Sequence, residues 1–380
     1  YKYKQMTKQF ITSESVTEWH PDKICDQISD AILDACLEQD PFSRVACECL
    51  ITTNKLLIAW EITTKAQVDY EKIARQTIVE IGYDDPKKFF DGNTCDVDVL
   101  LGTQSPDIAM WVDTGGAGDQ WMMFGYASNE TDSFLPATIH YAHKLAKQLS
   151  KVRKNSTLPF LLADWKTQVT VEYENDKISR IETIVVSSQH IKDVSQKEIF
   201  DGVKKEVILP IVWDLIDEDT KIYINPTWSF YVWGPAWDSW LTGRKIIVDS
   251  YGGIGRHGWW AFSGKDPTKV DRSAAYMARY LAKNIVASGL CDKCEIQLSY
   301  AIGIAQPVSI FLEDFNTAKI EKNKIVDFIV NNFDLSPKWI IDYLDLRKPI
   351  YKQTASYGHF GNENYSWEKL DKVEELKKLL

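Results

Sequence analysis

Apolar positions recur along this chain at two spacings, and the switches between them mark out its elements. Between residues 21 and 40, PDKICDQISDAILDACLEQD sets Ile24, Ile28, Ala31, Ile32, Ala35 and Cys36 at three- and four-residue intervals, one face of a helix. Pro21 suits a first helical turn, so His20 and Asp22 fall at the helix's N-terminal end. RVACECLI, TTNK and LLIAWEITT then read as a hairpin, followed by an amphipathic helix over 70–81. The middle repeats the scheme: a helix over 137–154, strand KTQVTVEY, turn ENDK and strand ISRIETIVVSS. A third round has strands IYIN and KIIVDSY, a helix over 272–288 closed by Gly289, and the hairpin EIQLSYAIGIA/PVSIFLED. The closing DKVEELKKLL reads as a short charged helix.

Three rounds of hairpin plus helix predict an α+β protein of three similar sheet-plus-helix domains with approximate three-fold internal symmetry. The expected divisions are 1–110, 111–238 and 239–380. The likeness between the rounds lies in this pattern and not in their letters.

Composition narrows the function. The 380 residues are 44% hydrophobic and 26% charged, ordinary for a globular protein, with room for sizeable cores. A net charge of −10 argues against nucleic-acid or anionic-membrane binding. No apolar run is long enough to span a bilayer, and YKYKQMTKQF lacks a signal-peptide core, so a cytoplasmic location is expected. Seven scattered cysteines are expected to be reduced and mostly buried; Cys291 and Cys294 lack a second pair at zinc-site spacing.

Against this acidic background, residues 242–273 gather Arg244, Lys245, Arg256, Lys265, Lys269 and Arg272 among glycines. Cations beside glycine-rich turns suit a polyphosphate, because fixed charges and backbone N–H groups can both face anionic oxygens. An acid among them, such as Asp271, suits a hard bridging metal. Gly253-Ile-Gly255-Arg-His-Gly258 matches a dinucleotide fingerprint in letters, but Trp259, Trp260 and Pro267 follow where that fold needs a helix.

Five segments together resemble the S-adenosylmethionine synthetase (methionine adenosyltransferase) family. They are TSESVTEWHPDK, EITT, QSPDI with GGAGDQ, INPT through GPAWDSWLTGRK, and GRHGWWAFSGKDPTKVDRSAAY, in order over nearly the whole chain. The resemblance implies attack of methionine sulfur on the 5′ carbon of ATP, with the triphosphate then cleaved to phosphate and pyrophosphate. It also implies Mg2+, two per site, K+, and a homodimer or homotetramer with active sites between subunits. His20, Lys166, Arg244, Lys245, Lys265 and Lys269 match catalytic positions. Asp164, Ser229, Phe230, Asp238 and Ala261, with His20, Lys166, Arg244, Lys245 and Lys265, match ATP contacts. Glu61, Gln104, Asp119, Asp238 and Lys269 match the methionine site. Asp22 and Asp271 match magnesium ligands, Glu48 matches a potassium ligand, and residues 104–119 match a mobile loop.

The chain departs from the family pattern in one residue type. Of its 14 tryptophans, only Trp213 and Trp367 stand where a bulky residue is ordinary. Positions 19, 60, 111, 121, 165, 228, 233, 237, 240, 259, 260 and 339 carry tryptophan where the family usually has glycine. Drift would scatter such changes among residue types. A single cause, UGA codons that the source organism reads as glycine, predicts one repeated swap. Taken literally, the rings are expected in solvent or in the ligand cavity, since packed cores lack room for them. The alternative function is then a folded, self-associating but impaired enzyme. A different phosphotransferase would account for the cations and not for HPDK or GAGDQ. Leu162 is a smaller departure, standing where many relatives carry a cation.

Overall fold

A computed structural model describes residues 8–88, 90–103, 115–227, 235 and 239–380. Its plan is a strand, a long helix and a hairpin, used three times. The first round is β1 (Lys8–Val16), α1 (Pro21–Gln39), β2 (Arg44–Thr52) and β3 (Lys55–Thr63). Helix α2 (Tyr70–Ile81), the short pair β4 (Asp84–Asp85) and β5 (Phe90–Asp91), and β6 (Asp96–Gly102) come next. The second round is β7 (Trp121–Ser128), α3 (Ala137–Lys154), β8 (Leu161–Glu174) and β9 (Lys177–His190). Helices α4 (Gln196–Val203) and α5 (Leu209–Val212), joined by a π-helical turn, precede β10 (Lys221–Ile224). The third round is β11 (Trp240–Leu241), α6 (Val270–Ala287), β12 (Lys293–Tyr300) and β13 (Ser309–Glu313). Three short helices, α7 (Lys322–Asn332), α8 (Pro337–Tyr343) and α9 (Val373–Lys377), finish the chain.

The first strand of each round leaves its own hairpin and pairs with that of another. The sheets run β1-β8-β9-β10, β11-β2-β3-β6 and β13-β12-β7, so round one feeds round two, two feeds three and three feeds one. Each exchanged strand pairs antiparallel, β1 along its full length from Lys8↔Glu174 to Val16↔Lys166. Helix α1 packs on β2, α3 on β8 and β1, and α6 on β7 and β12. The first and third layers share one continuous apolar core; the second has its own around Leu145, Val169 and Ile184.

Local chemistry explains the boundaries. Pro21 opens α1, and the His20 side chain accepts the Asp22 N–H as its cap. The expected strand KIIVDSY is instead a run of turns: the Asp249 N–H donates to Lys245 O and that of Gly252 to Ile247 O. A burial requirement overrides β propensity here, because the turns carry Asp249 inward to the buried Lys23 ammonium. No dinucleotide-type helix follows Gly258. All seven cysteines are buried and unpaired. No helix among the described residues is long and apolar enough to cross a membrane.

Candidate active site

Two glycines bring the basic loops together. Gly243 has φ +79°, and a Cβ there would stand 2.5 Å from Ala261 Cβ. Gly264 has φ +81°, and a Cβ there would lie 2.0 Å from Cys47 O. Without side chains at these points, residues 241–245 meet residues 259–265, and Gly264 lies against β2. The loop then runs beside β2 like an extra strand: Cys47 N–H donates to Gly264 O at 2.9 Å and Asp266 N–H to Val45 O at 3.0 Å.

The result is a cleft of about 540 Å3 whose walls include Glu48, Glu61, Asp119, Arg244, Ala261, Lys265, Lys269 and Asp271. That size accommodates a nucleotide-scale ligand. Asp271, in the first turn of α6, accepts from Lys265 Nζ at 2.7 Å, while its Oδ1 is buried with no hydrogen-bond partner among the described residues. Burial raises the Asp271 carboxyl and Lys265 opposes that rise; the same two influences act on Glu48. Lys269 is held by the buried Asp266.

His20, Asp22, Asp164, Lys166 and Lys245 form a second cluster at the N-terminus of α1. Asp22 accepts from Lys245 Nζ at 2.6 Å and from the Leu241 N–H at 3.1 Å. Arg244, at 3.8 Å from Asp22, also lines the cleft and so belongs to both groups. Burial, and then Lys245, Lys166, Lys23 and Arg244, hold His20 well below the ordinary imidazole range. Its ring is therefore neutral, and because Nδ1 accepts the Asp22 N–H at 3.2 Å, the proton belongs on Nε2. That Nε2 is buried with no hydrogen-bond acceptor among the described residues. Both oxygens of Asp164 are likewise buried, with no hydrogen-bond partner among the described residues, and burial pushes its carboxyl up to about 7 against the opposing Lys166 and Lys245.

The expected site residues that are described thus fall into two groups, with Asp22 in one and Asp271 in the other. No preassembled group of three or more metal-ligating side chains occurs among the described residues. Gln104, Ser229, Phe230, Asp238 and most of loop 104–119 lie outside the described residues. The tryptophans correct one expectation. Trp60, Trp259 and Trp260 do line the cleft, but Trp19 and Trp165 are 2% and 0% exposed and belong to the hydrophobic cores. Trp19 finds room against Tyr83, under the Arg153 guanidinium and over Gly82, where a Cβ would stand 2.3 Å from the indole. The buried carboxylates beneath the loops, Asp26, Asp30 and Asp266, were not singled out from sequence. The signal for Asp26 and Asp30 was the four-residue spacing of aspartates on α1; Asp266 had none.

Comparison with known proteins identifies the family. Residues 8–106, 114–230 and 232–369 match the N-terminal, central and C-terminal domains of S-adenosylmethionine synthetase. The S-adenosylmethionine synthase of Clostridium tetani is 57% identical, the match covering 98% of this chain and all of the relative. That of Finegoldia magna is 56% identical over 99% of this chain and all of its own length. With all three domains matched in order and relatives aligned end to end, the chain belongs to the S-adenosylmethionine synthetase family.

Proposed function

We propose that this chain is a methionine adenosyltransferase, making S-adenosylmethionine from ATP and L-methionine. A methionine sulfur lone pair forms the new bond to C5′ of ATP, and the C5′–O bond breaks with its electron pair moving onto the triphosphate. Water then cleaves the bound triphosphate to phosphate and pyrophosphate. The end-to-end likeness to S-adenosylmethionine synthases carries this reading.

The chemistry needs in-line positioning and neutralisation of a polyanionic leaving group more than a general base. Lys265, Lys269, Arg244, Lys245 and Lys166 supply fixed positive charge, and His20 offers its Nε2–H to the departing oxygen. Ala261 at the cleft wall, with Ser229 and Phe230, contacts the nucleoside, and Asp164 stands beside the triphosphate cations. Glu61, Gln104, Asp119 and Asp238 hold methionine. The unpartnered Oδ1 of Asp271 and the carboxylate of Asp22 are hard oxygen donors that suit Mg2+, two ions per site, and Glu48 suits K+. Bound metal supplies charge neutralisation on the phosphate oxygens. Because Asp22 and Asp271 lie in different half-sites, the complete centre forms between two subunits of a homodimer, or of a homotetramer built from such dimers. Exposed apolar residues on and beside the sheets, among them Leu100, Met122 and Phe311, supply apolar surface for association.

The test is incubation of the full chain with ATP, methionine, Mg2+ and K+, with chromatographic assay of S-adenosylmethionine. Formation of that product with equimolar phosphate and pyrophosphate is expected; ATP cleavage without it would defeat the reading. Asp22→Asn and Asp271→Asn, each inactive alone, should regain part of the activity when refolded together. Failure to complement would refute the shared site and leave the reaction standing.

A further inference from the structure

Asp22, Asp26, Asp30 and Asp34 stand four residues apart on α1, one above another on a single face. In an isolated helix such a column repels itself. The fold gives each carboxylate a backbone N–H from a distant loop instead. Asp22 takes Leu241 N–H at 3.1 Å, Asp26 takes Gly243 N–H at 2.8 Å, and Asp30 takes Gly264 N–H at 2.8 Å. Asp34 takes Tyr351 N–H at 2.9 Å and Lys352 N–H at 2.8 Å.

The remaining oxygen positions of the inner rungs meet buried cations. Asp26 accepts from Lys23 Nζ at 2.8 Å, and Asp30 is held at both oxygens by Arg272, at 2.7 and 2.9 Å. Asp26 and Asp30 are fully buried. Neither lines the cleft. Yet Gly243 immediately precedes Arg244-Lys245, and Gly264 immediately precedes Lys265. The two rungs therefore grip the backbone at the base of the two cation-bearing loops.

We infer that Asp26 and Asp30 are positioning residues for the triphosphate, fixing the two basic loops at the spacing at which their cations converge on one polyanion. The inference rests on the ATP reading of the cleft. Charge-assisted bonds to backbone N–H groups in a dry interior suit this role, since they are strong and directional. Asp34 is the built-in control: it grips a loop in the same way, but residues 351–352 do not line the cleft.

The experiment compares Asp26→Asn, Asp30→Asn and Asp34→Asn in the full chain. It reads thermal unfolding, binding of tripolyphosphate with Mg2+ by calorimetry, and kcat with KM for each substrate. All three variants should melt lower. Asp26→Asn and Asp30→Asn should also weaken tripolyphosphate and raise KM for ATP by roughly tenfold or more, with methionine KM changed less than about threefold. Asp34→Asn should leave both substrate constants unchanged. If an Asn variant does not fold, Asp26→Glu or Asp30→Glu carries the same expectation, because one added methylene displaces the gripped N–H. Unchanged tripolyphosphate affinity in folded Asp26 and Asp30 variants, or an equal loss in Asp34→Asn, would overturn the inference. A wild-type chain that binds tripolyphosphate but forms no S-adenosylmethionine would instead sink the functional reading.

Discussion

Trp367 and the tryptophans around the cleft are the same side chain in two kinds of place. Trp367 is fully buried and has what an indole needs: it stacks on Tyr276 at 3.9 Å, and its Nε1–H donates to His359 O at 2.9 Å. Trp60 and Trp259, in the cleft wall, have φ of +104° and +78° and stand 57% and 84% exposed. Trp19, Trp121, Trp165 and Trp240 bury Nε1 with no acceptor among the described residues. A left-handed backbone at a bulky residue and an orphaned indole N–H each cost about 1–3 kcal/mol. The environment of Trp367 was shaped around an indole. The backbone at 60 and 259 suits a residue with no side chain.

The largest test of this contrast is Trp367→Ala. Loss of its stacking and hydrogen bond should destabilise the chain by about 3–5 kcal/mol, read as a lowered unfolding midpoint. A cost below 1 kcal/mol would erase the contrast. Beside the orphaned Trp165 sits Asp164, whose pH dependence sharpens it. Its folded-state pKa of about 7 lies above the ordinary carboxylate value, so the folded protein holds a proton that the unfolded chain has lost. Its contribution is therefore present at low pH and falls away as pH rises from about 4 through 7, in total on the order of 4 kcal/mol. Asp164→Asn should flatten that part of the melting-temperature profile; an unchanged slope between about pH 4 and 7 would show that Asp164 is not the group responsible.

Next in size, Trp60→Gly and Trp259→Gly should each stabilise by about 1–3 kcal/mol through relief of backbone strain. Both should also tighten ATP binding by widening the cleft, measured by denaturation and by nucleotide titration. Destabilisation in both would show that the indoles belong there. Peptide mass spectrometry on protein from the source organism should find glycine at 60 and 259, encoded by UGA; UGG codons would end that explanation. At the small end, Trp213 is 72% exposed at the end of a helix, and Trp213→Ala should shift stability by less than about 0.5 kcal/mol.

Much of the candidate site was legible because its residues announce themselves locally. HPDK marks a helix start, with His20 as its cap and Asp22 in its first turn. The basic loop stood out against an acidic chain, and eight of the expected residues line one cleft. What was not legible depended on partners far away in sequence. Asp26 and Asp30 look like solvent-facing charges on an amphipathic helix until Gly243 and Gly264, more than 200 positions later, present their N–H groups. KIIVDSY reads as a strand by propensity, and only the buried Lys23 explains why it turns.

The sequence alone determined the local units: the three long helices, the hairpins β2–β3, β8–β9 and β12–β13, and the cations and carboxylates they carry. These follow from spacing, capping and turn chemistry within a few residues. Tertiary structure decided which hairpin each lone strand joins. Backbone pairing lets a lone strand complete any sheet edge of matching length, so nothing within β1, KQFITSESV, specifies β8 over β2. The cyclic exchange resolves that choice, and the same long-range closure sets β11 beside β2 and brings the basic loop that follows it over the aspartates of α1.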